Sequence, residues 1–481
     1  MADSTPVVEF QATDFFHHQS AHALLISAFY KAKNLGLFAL LQQHLKLKMK
    51  KRTFSWLDKL TTLWASIVVG CNHTVEINDR LGSHEQALAA LLGLDHFPDQ
   101  SQVNRLLWAF STDHLQQWRR LHLDLLCRHT KARNRCHWLL LSNRQRLLAV
   151  DLDQRALTVS CNQFELSKKG YFGRKRGRYG YQLSVAFMGG AVSEVIDEYF
   201  DSGETPAAHR LEPLLDSVLE VCRRTRIPAD CILIRGDAQF GTPANIKKIK
   251  ARGFHYMFKG MNSRRARKLL TQVDGEKIFW QVDNGAKQAP AWMCDLGDTE
   301  HREGRRRAKE HAVVSRTLLM VRQLKMPASK RADPKSREQL KAAGQYYKTE
   351  IKVDYFLTDL DCRQLPLEQV LEVYHDRATI ERYFYDEQYA LGARQVRTHH
   401  YAGEAIFQFL VATTNNLLRW MQKSTFRGTI LEKMGLGRLI RQGMQIPARV
   451  TRKAEKWIVE MPKQHHLVKQ LLKSWAELSP T

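Results

Sequence analysis

Cysteine is sparse in this chain: eight residues, at 71, 127, 136, 161, 222, 231, 294 and 362, with no two in a C-x-x-C pair. That scatter excludes a disulfide framework and a zinc knuckle, and reads as reduced thiols of a cytosolic protein. Proline and glycine are few, 13 and 26 of 481 residues, while 44% of the chain is hydrophobic, which excludes collagenous and disordered classes. Long apolar runs are missing as well. The longest, Leu63 to Cys71 (LWASIVVGC), is about half of the roughly 20 residues a bilayer span needs. The first residues (MADSTPVVEF) carry neither a basic nor an apolar leader segment, so they do not read as a secretory signal. Acid is the last shortage. Lys plus Arg number 74 against 49 Asp plus Glu, so the formal charge is 74 − 49 = +25 and the pI is near 9.8. No basic amphipathic helix or lipidation motif points to a membrane surface, so the excess predicts a polyanionic partner, nucleic acid first.

The length suggests about three units. Residues 1–140 read as helical, with apolar positions at 3–4 spacing in 21–45, 54–70 and 101–127. Within them Ser83-x-x-Gln86 has the form of a capping box. It opens a short helix that ends at Gly93 and is followed by a second from about Gln100 to Phe110. The pair is either a helix-turn-helix that offers Gln102, Asn104 and Arg105 to a groove, or a plain hairpin in a bundle. From about 138 the period changes to strands: Leu147–Ser160, Tyr181–Met188 and Glu194–Asp201 as a meander, a helix over Leu211–Arg224, then Cys231–Arg235 as a strand. Thr242 and Pro243 open the next helix, and His255–Lys259 is a further strand. The class is α/β, in the element order of an RNase H-like domain. Short alternating runs among basic loops mark 261–351 as a β-rich insertion. Residues 255–350 hold 21 Lys plus Arg and 11 Asp plus Glu, net 21 − 11 = +10. Residues 352–425 carry a returning helical pattern, and 426–481 form a helical C-terminal region suited to dimerisation.

Four acidic residues stand out, at three places in the chain. Asp151 and Asp153 are two apart on the first strand and share one face of the sheet, where apolar neighbours make an acid costly unless it is paired or holds a metal. Asp237 follows an apolar strand, the usual place for a functional group in an α/β sheet. Glu381 lies in Val373–Tyr389 (VYHDRATIERYFYDEQY). On one continuous helix Tyr374, Arg377, Glu381 and Gln388 would occupy a stripe about 60° wide.

Tyr374-x2-Arg377-x3-Glu381 resembles the Tyr-x2-Arg-x3-Glu-x6-Lys signature of bacterial DDE insertion-sequence transposases. The resemblance extends through RATIERYFYDEQYALGARQVRTHHYAGEAIF, NNLLRW, the AVDLD strand and IRGDAQF, roughly residues 145–425. It implies a DNA transposase with an RNase H-like core that cleaves transposon ends and joins the 3′-OH to target DNA. Asp153, Asp237 and Glu381 would be the ligands of two Mg²⁺ (or Mn²⁺) ions, a two-metal clamp on the attacking and leaving oxygens. Asp153 is favoured as the first ligand, with Asp151 as the alternative. Tyr374, Arg377 and Gln388 would contact DNA; Gln388 stands where the family has Lys, and the first motif lacks the small residue and Thr of relatives.

Basic clusters fit a DNA path. SKKGYFGRKRGRYGY supplies Lys168, Lys169, Arg174, Lys175, Arg176 and Arg178; REGRRRAK supplies Arg305, Arg306 and Arg307. Trp280 and Trp292 lie in the insertion, where relatives stack a flipped base; the pattern favours strand core for either one. The partners implied are double-stranded DNA at the transposon ends and the target, and a second copy of the chain in a synaptic homodimer, in a cytoplasmic, nucleoid-associated setting without a membrane. A nuclease or resolvase without strand transfer, or a catalytically silent DNA-binding derivative, are the alternatives.

Overall fold

In the computed structural model the described residues are 7–14, 20–50, 53–170, 172, 177–261, 263–273, 279–282, 290–302, 312–327, 338–339, 342, 347–454 and 456–476. The alternating segments become strands β1 (Arg146–Val159), β2 (Tyr179–Met188), β3 (Glu194–Ser202), β4 (Ile232–Gly236), β5 (His255–Lys259), β6 (Trp280–Val282), β7 (Ala291–His301), β8 (Val313–Pro327) and β9 (Tyr347–Thr358). Their order across the sheet is β3-β2-β1-β4-β5-β9-β8-β7-β6. β1, β2 and β3 pair antiparallel, whereas β4 and β5 run parallel to β1. The insertion is not a separate layer: β9 pairs antiparallel with β5, so β6–β9 extend the same sheet.

Each crossover helix forms for a local reason. α1 (Leu211–Thr225) buries Leu211, Leu214, Leu215, Val218, Val221, Cys222 and Thr225, an apolar stripe at helical spacing, with Pro213 in its first turn. α2 (Pro243–Lys250) starts where the Thr242 hydroxyl accepts from the Asn245 N–H. After β9 come α3 (Leu367–His375), α4 (Ala378–Tyr389) and α5 (Tyr401–Ser424). α4 sets Ile380, Tyr383 and Phe384 against Leu183, Val185 and Phe187 of β2, together with Ala405 and Ala412 of α5. A one-sided apolar face thus glues α4 to the sheet and leaves its other face in solvent.

The two ends of the chain differ from the all-helical expectation. Val7–Thr13 is a strand that pairs in parallel with Lys456–Pro462, which in turn pairs with Arg449–Lys453. Val8, Phe10 and Ala12 turn one side of it to the core that also buries Val459 and Met461. The Ser83 box is not formed, since Ser83–Glu85 is a 3₁₀ turn without a side-chain cap; a complete box caps the Trp56–Val68 helix instead, through Ser55 and Asp58. The Gln86–Leu91 and Gln100–Ala109 helices exist. The second packs on Trp56–Val68 and α5, with Gln102 and Asn104 half-buried and Arg105 exposed. Among the described residues no single helix is long and apolar enough to cross a membrane.

α5 is buried along nearly its whole length and carries Glu404 at 0% exposure. Its carboxylate accepts from the Arg397 N–H at 2.7 Å and from Gln408 Nε2 at 2.7 Å. Burial pushes its pKa up to about 7. A raised acid binds its proton more tightly in the folded chain than in the unfolded one. Its contribution is therefore fully present below the ordinary value of 4.5 and is lost as pH rises through about 7. Glu404→Gln should flatten the fall in stability over that window, where one proton is worth about 1.4 kcal/mol per pH unit. Urea titrations at a series of pH values check it; an unchanged slope overturns the assignment.

Candidate active site

β1 outruns its parallel neighbour. Leu152 is in register with Gly236, where β4 stops, so Asp153 on β1 and Asp237 just past the end of β4 come next, side by side. Asp153 is therefore mid-strand, with β1 continuing to Val159. A cleft opens beside it because β4 has ended. The cleft is about 220 Å³ and is lined by Asp153, Gln154, Ala156, Phe172, Gln182, Ala207, Asp237, Gln239 and Phe240.

Asp153 accepts from the Gln154 N–H at 2.8 Å and from Arg377 Nη1 at 2.9 Å. Burial raises its pKa; Arg377 pulls the other way and Asp237 adds to the rise. Asp237 accepts from the Gln239 N–H at 2.9 Å, an Asx turn that aims the carboxylate at the cleft mouth. Arg377 Nη2 lies 3.9 Å from Glu381 Oε1, so one guanidinium bridges Asp153 and Glu381. Burial works against that guanidinium's charge, but Tyr374 and Asp153 outweigh it and raise its pKa. Glu381 itself is 67% exposed.

The expected continuous helix is interrupted. α3 ends at His375 and α4 begins at Ala378, with Arg377 N–H donating to Tyr374 O and Thr379 N–H to Asp376 O, bonds one residue tighter than the α-helical ladder. The single stripe of Tyr374, Arg377, Glu381 and Gln388 is thereby divided between two helices. Tyr374 is half-buried against Phe356, ring centroids 4.9 Å apart, and Arg377 stands 5.6 Å over its ring. Gln388 is half-buried toward the far end of α4.

Asp151 is placed differently from Asp153. It is fully buried and gripped bidentately by Arg235, Oδ1 to Nε at 2.7 Å and Oδ2 to Nη2 at 3.0 Å, so it does not line the cleft. Burial raises the carboxyl against the pull of Arg235. Arg235, also at 0% exposure, donates to Asp376 Oδ2 at 3.1 Å and to the Val373 carbonyl. Burial lowers its pKa less than Asp151 and Asp376 raise it. This guanidinium ties β1 and β4 to the break between α3 and α4. Gly189 leaves room for it: a Cβ there would come within 2.4 Å of Asp151 Oδ2 and 2.8 Å of Arg235 Nη2. Sequence reasoning missed Arg235, Asp376 and Gly189. The signal was an arginine inside the apolar run CILIR, which requires a buried counter-charge, and Asp151 stands directly opposite it in register.

Of the basic residues, Lys168 and Lys169 are exposed on a two-residue strand paired with Tyr179–Gly180, and Arg178 is exposed after it. Phe172 of the same hairpin lines the cleft, so the fold brings this basic segment to Asp153 and Asp237. Arg174, Lys175, Arg176, Arg305, Arg306 and Arg307 lie outside the described residues. Trp280 is 54% exposed and Trp292 half-buried on neighbouring strands.

The donor set is hard oxygen, suited to Mg²⁺ or Mn²⁺ and not to zinc. Asp153 and Asp237 repel one another in one open cleft, which a cation between them would relieve. Glu381 stands beyond them on the other side of the Arg377 guanidinium, and among the described residues no three His, Cys, Asp or Glu side chains form a ready cage. Asp153 and Asp237 thus fit a divalent ion, with Glu381 available from the neighbouring helix.

The family described as transposase DDE domain group 1 matches residues 21–481. A search of curated proteins finds no match.

Proposed function

The chain belongs to the transposase DDE domain family, group 1, and on that premise we propose that it cleaves DNA at transposon ends and joins the freed 3′-OH to target DNA. The adjacency of Asp153 and Asp237 in an open cleft, with Arg377 linking Asp153 to Glu381, carries the reading. The order β3-β2-β1-β4-β5, three antiparallel strands followed by two parallel ones, supports an RNase H-like core of 141–260 and 352–425 that is interrupted by the insertion 261–351. Residues 1–140 are proposed to hold the DNA end and 426–481 to join two copies.

Attack on a phosphodiester needs a deprotonated oxygen and a stabilised leaving oxygen, and carboxylates alone repel the substrate. Asp153, Asp237 and Glu381 would hold two divalent ions, Mg²⁺ or Mn²⁺, which supply both when bound. Arg377 neutralises Asp153 and has donors suited to a phosphate once that carboxylate is otherwise compensated. Tyr374 backs its guanidinium and limits its motion. Lys168, Lys169 and Arg178 draw the duplex over the cleft, helped by the arginines at 174, 176 and 305–307 and by Lys175. Gln388 keeps a hydrogen-bonding end where the family has a charge.

Purified protein incubated with Mg²⁺, precut transposon-end DNA and a supercoiled target is expected to yield joined products. Nicking of uncut ends without any joining of precut ends would replace this reading with that of a nuclease or resolvase. Binding without either reaction would make the chain a silent derivative.

A further inference from the structure

The solvent face of α4 carries two tyrosines that its packing does not use. Tyr385 is 56% exposed and Tyr389 47%, while the opposite face of the same helix is buried through Ile380, Tyr383 and Phe384. Their rings meet at 4.8 Å between centroids with 36° between planes, and the Arg394 guanidinium lies 5.2 Å over the Tyr389 ring. Arg394, Tyr389 and Tyr385 form a short stack, closed by the arginine at one end and open at Tyr385. Helical side chains lean toward the N-terminus, so the open end covers the turn that begins with Glu381, about 6 Å along the axis.

The surroundings are cationic. Arg382 is 62% exposed, and the Gly435–Arg441 segment lies against the helix: a Cβ at Gly435 would touch the Arg382 guanidinium, and one at Gly437 would lie 3.7 Å from Ala390 Cβ. The Arg441 guanidinium lies beside Gly437, so it and the exposed Arg438 stand near the C-terminal end of α4. The acids of α4 other than Glu381 are buried and paired, Asp386 with Arg419 and Arg382 and Glu387 with Arg155.

Exposed aromatic rings that continue into arginines match the chemistry that holds unpaired nucleotides, in which bases stack on rings and the backbone follows the positive charge. A duplex has no free base face to offer in its interior. We infer that Tyr385 and Tyr389 form a stacking platform for unpaired nucleotides of the strand that runs past Glu381, so that the chain grips a frayed or cut DNA end in preference to intact duplex. This rests on the DNA-cutting function proposed above.

The test compares blunt duplexes with the same duplexes carrying a few unpaired terminal nucleotides, in fluorescence anisotropy with wild-type protein, Tyr385→Ala, Tyr385→Phe and Tyr389→Ala. Wild type is expected to favour the frayed ends by about tenfold or more. Tyr385→Ala should reduce that ratio to near one, whereas Tyr385→Phe, which keeps the ring and loses the hydroxyl, should retain it. A ratio near one for wild type, with both DNAs bound, overturns the platform and leaves the DNA-cutting reading intact. Failure of wild type to bind either DNA overturns that reading itself. A ratio unchanged in both Ala variants overturns the platform. So does an Ala variant that keeps the ratio and loses self-association in gel filtration, which would assign the tyrosines to contact with a second copy of the chain.

Discussion

Asp153→Asn should lower Mg²⁺-dependent strand cleavage by more than about a hundredfold, the upper end of what losing a group that merely supports a ligand costs, without a large loss of stability. Asp153 is partly exposed at the cleft, and burial raises its pKa, so its charge is tolerated more than required by the fold. Asparagine keeps an oxygen for the Gln154 N–H. Asp237→Asn and Glu381→Gln should behave alike, because Asp237 is bound locally by Gln239 and Glu381 stands in solvent. DNA binding should survive in all three, since it draws on many Lys and Arg contacts. Cleavage assays on end-labelled DNA, run beside thermal melts, check the set. Wild-type nicking by any of them would remove that residue from the catalytic group.

The second large effect falls two residues away and has the opposite character. Asp151→Asn or Arg235→Leu should destabilise the fold by about 3–5 kcal/mol, because the first leaves buried Arg235 with only the partly exposed Asp376 and the second leaves buried Asp151 without its partner. Arg235→Leu also frees Asp376, and with it the break that carries Arg377 to Asp153. Residual folded protein should therefore cleave poorly even at temperatures where it is fully folded. The double variant Asp151→Asn with Arg235→Leu should cost less than the sum of the single ones, since it removes both charges. Urea unfolding of the four proteins measures the coupling. Additive losses would show that the two side chains do not act as a pair.

These two predictions separate acids that the sequence alone left side by side. Asp151 and Asp153 share a strand face by the two-residue period, and both are costly in an apolar strand. The difference lies in what stands opposite. β4 places Arg235 against Asp151 and ends before Asp153, so one acid is neutralised in the interior and the other is left at an opening. Similarly, nothing in VYHDRATIERYFYDEQY contains a proline or glycine to mark the break at Asp376–Arg377. The break is set by partners distant in the chain, Arg235 for Asp376 and Asp153 for Arg377.

Local spacing was enough to lay out the central strands and crossover helices, through period-two and period-3.6 apolar positions and the Thr242–Pro243 start, and it marked Asp237 and Glu381 by their positions after a strand and within the Tyr-Arg-Glu spacing. Composition determined the basic character that calls for a polyanion. Only the packed chain shows that the insertion extends the central sheet, that Val7–Thr13 joins a hairpin at the other end of the chain, and that Phe172, close after Lys168 and Lys169, lines the cleft. The physical reason is range. Periodicity and capping act over a few residues and are written locally, whereas strand pairing and buried ion pairs join groups that are 84 and 141 residues apart for Arg235 alone, at positions only the packed chain brings together.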